Sequence, residues 1–290
     1  MTSVHAVALA LLMLACDESP PAPAPEPAQE PATEPAGSRG AEPAGARAGE
    51  PAGENPGTGP AADPSTLIDV EPWGTLLSGY ATEDGGFRYA ALHGHAEHRA
   101  LLDRFVASIG SAQPDAWTRD QQLAFYINAY NALTVKSVIE LWPLDSVMSH
   151  EGFFDRRSHR VAGRDLTLNQ LENDVIRGER FAEPRIHFAV NCASIGCPPL
   201  ARLPYTAQNL ESALEAQTRA SLRATTQIDR VARRVTVTKL FEWFAGDFER
   251  AGGVRAFLAR YLEPADADLV RDEGVTLQHA EYDWALNGRT

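Results

Sequence analysis

From Trp73 onward the apolar positions of this chain fall mostly into helical periods. Between His98 and Ile109, the residues Leu101, Leu102, Phe105, Val106 and Ile109 recur at three- and four-residue steps, which predicts an amphipathic helix with one buried face. After a break at Gly110 to Pro114, apolar residues surround the span Thr118 to Trp142 from Leu123 onward, and Pro143 supplies its stop. A helix apolar nearly all round belongs at the centre of a fold. Val161 to Leu168 (VAGRDLTL) predicts a short hairpin or extended run leading into the helix LNQLENDVIR, with Thr167 as N-cap, Gln170 in capping-box position and Gly178 just past the end. Arg185 to Asn191 (RIHFAVN) reads as a strand entering the turn CASIGCPPL. Tyr205 to Leu222 reads as helix, Gln227 to Thr238 as a hairpin around Arg233-Arg234, and Phe241 to Phe248 and Val254 to Tyr261 as short helices. Helices outnumber strands, with no repeat and no regular βαβ alternation. The expected class is therefore α+β, a mostly helical single domain over residues 67–290 with a small antiparallel or mixed sheet.

The first quarter has no such periodicity. Asp17 to Thr66 holds twelve of the 20 prolines, mostly Ala, Gly and Glu besides, and no aromatic residue precedes Trp73. Such a composition cannot offset backbone entropy by burial, so residues 16–66 are expected to form a disordered, extended spacer. This stretch sets nine acids against Arg39 and Arg47, more than half of the net charge of −13, which leaves the domain only mildly acidic. No basic footprint for nucleic acid is present. The run Val4 to Ala15 matches a signal-peptide core, too short to span a bilayer, so residues 1–15 are expected to be removed. It ends in Leu14-Ala15-Cys16, which resembles the lipobox of bacterial lipoproteins. That resemblance implies lipidation of Cys16 and a membrane partner reached through the acyl chain, with the spacer holding the domain clear of the surface. The implied location is the bacterial cell envelope, facing the periplasm or exterior.

Four blocks resemble the domain of unknown function 547 family: AFYINAYNALTV (Ala124 to Val135), VAGRDLTLNQLEND (Val161 to Asp174), EPRIHFAVNCASIGCPPL (Glu183 to Leu200) and LFEWFAGDF (Leu240 to Phe248). The closing EYDWALNG (Glu281 to Gly288) is similar to that family's final segment. The resemblance implies no activity, because the family has none assigned. Asn173 stands where the family more often has a histidine.

Several polar residues lie where apolar ones would be cheaper. Asn128 and Asn131 share a face of the central helix and need hydrogen-bond partners if buried. Glu172 points inward from between Leu171 and Val175. His187 lies inside an apolar run, on a face with Ala189 and Asn191 if alternation is strict, just before Cys192, Ser194 and Cys197. These residues support several readings. Cys192 could be a nucleophile with His187 as base, Glu172 orienting it, and Asn128 or Asn131 as donor to an oxyanion or substrate. Alternatively the Asn pair, Glu172 and His187 form a buried hydrogen-bonded network, or a pocket in which Asn128, Asn131 and Ser194 meet an unknown protein or small-molecule ligand. In an oxidising compartment the pair left after lipidation of Cys16 is expected to form a disulfide, Cys192 to Cys197. A zinc site from His187, Cys192, Cys197 and Glu172 has suitable ligand chemistry but lacks close CxxC pairs. No cofactor motif stands out, and no metal or cofactor is expected. The cluster His93, His95, His98 reads as a solvated loop, and Arg156, Arg157, Arg160 and Arg164 as a charged face able to receive an anion.

Overall fold

Four helices open the fold: α1 (Glu71–Tyr80), α2 (Tyr89–Gly94), α3 (Ala96–Ser111) and α4 (Arg119–Glu140). They belong to a computed structural model that describes residues 67–288. The expected signal peptide, the lipidated Cys16 and the spacer of residues 16–66 lie outside the described residues. Thr118 caps α4 through a capping box with Gln121, and the helix is buried from Gln122 to Ile139 apart from Tyr126 and Lys136. The all-round apolar pattern thus marks the axis of the domain, and α2, α3 and the segment that carries Glu172 pack against it. The histidine cluster is helical rather than loop. His95 caps α3 by accepting from the His98 amide, and His98 Nδ1 meets the Tyr80 hydroxyl at 2.7 Å.

β1 (Ser158–Val161) and β2 (Arg164–Thr167) pair antiparallel as a hairpin. The Thr167–Gln170 capping box then starts α5 (Leu168–Gln170), which passes directly into a π-helical turn, Leu171–Ile176. The hairpin turn docks on the end of α3, where the amides of Ala162 and Gly163 donate to the carbonyls of Ile109 and Gly110, each at 2.9 Å. After α6 (Leu210–Thr225), β3 (Gln227–Asp229) pairs antiparallel with β4 (Arg234–Val237). β4 in turn pairs parallel with β5 (Thr276–His279). The crossover between β4 and β5 carries α7 (Leu240–Trp243), α8 (Ala245–Arg250), α9 (Val254–Tyr261) and α10 (Pro264–Arg271). The class is α+β as expected. The sheets are two rather than one, a hairpin and a three-stranded mixed sheet.

The expected strand at Arg185 to Asn191 is instead a 3₁₀ helix, Pro184–Phe188. Pro184 brings no amide to a ladder, and the Glu183 carboxylate accepts from the Arg185 amide at 3.1 Å as an N-cap. Three residues per turn send successive side chains in three directions, whereas a strand would put Ile186 and Phe188 on one face. Ile186 enters the large cluster around α4, and Phe188 enters a second cluster with Phe241, Phe248 and Phe257. The short helix thereby joins the two cores. Phe257 touches Phe188, Phe241 and Phe248, with ring centroids 5.8, 6.0 and 5.0 Å apart. Phe257→Ala should cost about 3–5 kcal/mol in urea unfolding. A loss under about 1 kcal/mol would show that the second cluster does not hold the α7–α10 region.

Candidate functional site

The two asparagines of α4 are backbone clamps. Asn128 donates to the Tyr205 carbonyl at 2.7 Å and accepts from the Tyr205 amide at 3.0 Å. Asn131 donates to the Ala189 carbonyl at 2.9 Å and accepts from the Asn191 amide at 2.8 Å. Each side-chain amide uses its oxygen and nitrogen on main chain, in positions almost wholly buried. Both amides are thus committed to main chain through oxygen and nitrogen alike. The clamps aim the turn instead. Asn191 donates to the Pro198 carbonyl at 2.7 Å and accepts from the Ala193 amide at 2.9 Å, and this closes the loop that contains both cysteines.

His187 is buried with Nε2 donating to Asp247 Oδ2 at 2.7 Å, its ring stacked on Phe244 with centroids 4.1 Å apart. Its Nδ1 is buried without a partner among the described residues. Burial pushes the imidazole down into the neutral form, outweighing the pull of Asp247. Burial acts to raise Asp247, but hydrogen bonds from His187 and Arg177 hold its carboxyl far below the usual range. Arg177 bonds Asp247 through Nε at 2.7 Å, and Arg250 adds a further bond at 2.5 Å. No hydrogen bond joins His187 to Cys192. The imidazole that would serve as base in a thiol mechanism is instead the centre of an internal ion network.

The sulfurs of Cys192 and Cys197 are joined in a disulfide, with Cα atoms 6.2 Å apart. The Ser194 and Tyr282 hydroxyls each lie 3.0 Å from Cys192 Sγ and 2.9 Å from each other, and Tyr282 donates to Cys197 Sγ at 3.2 Å. Both cysteines are part-exposed. Tyr282 reaches them because the C-terminal segment straps the loop: the amides of Ile195 and Gly196 donate to the carbonyls of Ala285 and Asp283, each at 2.8 Å. Gly196 is required at this crossing, since a Cβ there would stand 2.9 Å from the Tyr282 ring. The other side of the strap is an aromatic stack. Tyr282 lies 4.7 Å from Trp243 and 4.5 Å from Trp284, centroid to centroid, and all three rings are part-exposed.

Glu172 connects these parts. Protein atoms crowd its carboxyl, and this burial raises its pKa against a hydrogen bond from Tyr130 and the charge of Arg177. Asp247 adds to the rise. Burial likewise raises Tyr130 and Tyr282, and the Glu172 charge adds to both. Tyr130, Arg177 and Asp247 thus act on the Glu172 carboxyl, and its charge acts in turn on Tyr130 and Tyr282. Its carboxyl is thus harder to ionise than an ordinary glutamate, and its hydrogen bond is with Tyr130 rather than with an imidazole. The π-helical turn of Leu171–Ile176 places it there, in a geometry that recurs at functional sites. The zinc alternative is not assembled, because both thiols are spent in the disulfide. Among the described residues, no group of three or more His, Cys, Asp or Glu side chains could hold a metal.

An α+β domain with a disulfide turn clamped beneath a central helix is the class that fold and site define. Residues 114–222 match the model of a family described as protein of unknown function DUF547, and the resemblance holds over that segment. The match covers α4, Glu172 and the cysteine turn, but ends before Asp247, Trp243 and Tyr282. No curated protein and no solved structure matches the chain.

Tyr130, Asp247, Tyr282 and the two tryptophans join the site without having been singled out in the sequence. Tyr130 lies between Asn128 and Asn131 in block AFYINAYNALTV, and the others lie in the blocks LFEWFAGDF and EYDWALNG, so the signal was present as clustered motif residues. Two outcomes follow from the clamps and the network. Asn131→Ala leaves the Ala189 carbonyl and the Asn191 amide buried and unpaired, and should cost about 3 kcal/mol in urea unfolding. For His187 the folded pKa lies below the unfolded value of about 6.5. The unfolded chain therefore binds the proton first, and stability falls as pH drops from 7 through the unfolded value toward the folded one. His187→Gln should flatten this part of the stability profile between pH 7 and 5.5, and an unchanged slope would show that the imidazole binds its proton alike in the folded and unfolded chains.

Proposed function

We propose that the domain is a binding module of the bacterial envelope, anchored through Cys16, which recognises a hydroxyl-bearing ring such as a wall saccharide beside the disulfide. The observation that carries this reading is the part-exposed stack of Trp243, Tyr282 and Trp284 next to the Glu172 carboxyl and the Ser194 hydroxyl. Aromatic faces left partly open beside a few convergent polar groups suit a ligand with one apolar face and a polar edge. Glu172 would meet that edge, while the fully buried Ser194 would hold the Tyr282 hydroxyl in place. Among the described residues no helix is long and apolar enough to cross a membrane.

A thiol-dependent hydrolase or acyl transferase that uses Cys192 is the second reading. In its favour, two hydroxyls lie against the Cys192 sulfur and would stabilise a thiolate once the disulfide is reduced. It requires His187 to leave Asp247, or another base to replace it.

Titration of the oxidised protein with soluble wall-saccharide fragments should produce a saturable change in tryptophan fluorescence. Trp243→Ala should weaken it at least ten-fold, with Trp243→Phe intermediate. Absence of saturable binding in the wild-type protein would remove the binding reading. Turnover of an activated acyl ester that appears only with reductant and vanishes in Cys192→Ser would establish the second.

A further inference from the structure

A second place in the molecule is built to take a ligand, and it shares no residue with the disulfide site. Between α3, α4 and β1 lies an open cavity of about 490 Å³. This volume falls within the range of small-molecule sites, roughly 300–1,000 Å³. Its apolar floor is Val106, Ala107 and Leu133, and its polar wall is Lys136, Arg157 and Arg160 with Glu140 and His159.

The wall favours an anion. Glu140 is the one acid among the lining residues, and it is already engaged by both Lys136, at 3.0 Å, and Arg157. Lys136 also meets Asp103 at 2.6 Å, outside the lining, and Arg160 meets Asp165 at 3.1 Å, where both side chains are more than half exposed. Exposed pairs of that kind exchange readily with a competing anion. Arg157 offers more than charge, because its side chain is 28% exposed at the cavity and bonds Glu140 through Nη2, and a guanidinium can pair with an oxyanion through two nitrogens. The end of α3 would ordinarily repel an anion through its free carbonyls. Here the carbonyls of Ile109 and Gly110 already accept from the hairpin amides of Ala162 and Gly163. Gly110 allows that approach, since a Cβ there would press on Arg160 at 3.2 Å.

We propose that this cavity binds a small organic oxyanion with a short apolar body, the oxyanion held by Arg157, Lys136 and Arg160 and the body lying on Val106, Ala107 and Leu133. A carboxylate and a phosphate monoester share this chemistry, and the probes separate them.

The test is calorimetric titration of the full chain with hexanoate, hexyl phosphate, inorganic phosphate and hexanol. Saturable binding of hexanoate or hexyl phosphate is expected, tighter than either phosphate or hexanol by at least ten-fold and weakening with added salt. Whichever of the two binds tighter names the head group. Arg157→Gln should weaken it at least ten-fold and the more exposed Arg160→Gln about three-fold, while Trp243→Ala leaves it unchanged. If Arg157→Gln fails to fold, the Arg160→Gln and salt series decide. Equal binding of hexanol, equal binding of inorganic phosphate, or no saturable binding at millimolar concentration would each overturn the proposal. None of these results bears on the saccharide reading, which is scored on the tryptophan signal.

Discussion

Two side-chain amides on one buried helix hold the chemistry of this domain in place. Asn128 and Asn131 each present a C=O and an N–H to the main chain, as a neighbouring strand would, and so extend α4 into hydrogen-bonded contact with irregular backbone at Ala189, Asn191 and Tyr205. Irregular chain is normally kept at the surface because its polar groups need water. The clamps remove that need, and the CASIGC turn can therefore begin deep in the protein and emerge beside Glu172. In the low dielectric of the interior these bonds are strong when made and costly when broken.

The 3₁₀ helix Pro184–Phe188 is the second constraint, because it divides its side chains among three environments. Ile186 and Phe188 anchor separate apolar clusters, and His187 is left facing the ion network of Asp247, Arg177 and Arg250. The histidine is thereby biased toward its neutral form by burial and bonded to Asp247 rather than to the cysteines. Its work is to tie α8 to the matched family segment, a connection made by the Asp247 carboxylate that several donors share.

Around the disulfide the last described residues are as important as the first. Tyr282 contacts both sulfurs and Ser194, packs on Trp243 and Trp284, and feels the Glu172 charge. A site assembled from α4, the π-helical turn, the cysteine loop, α7 and the C-terminal strap draws on segments well over a hundred residues apart. Its aromatic face is part-exposed, and burial raises the pKa of its carboxyl. The basic cavity between α3, α4 and β1 is a different kind of place, lined by apolar residues and by Lys136, Arg157 and Arg160.

Local patterns determined most of the elements: the burial of α4, the capping box at Thr167, the β1–β2 and β3–β4 hairpins and the short helices after Lys239 were legible because capping and periodicity act within a few residues. α1, α10 and β5 were not singled out, and β5 pairs with β4 across about forty residues, a distance at which no local signal operates. The sequence also marked Asn128, Asn131, Glu172, His187, Ser194 and the two cysteines as out of the ordinary. Their partners were decided by tertiary structure alone. Six apolar or amphipathic residues in a row are compatible with strand and 3₁₀ helix alike, and only the need to fill two cores from one segment selects the three-fold geometry that turns His187 away from Cys192 and toward Asp247.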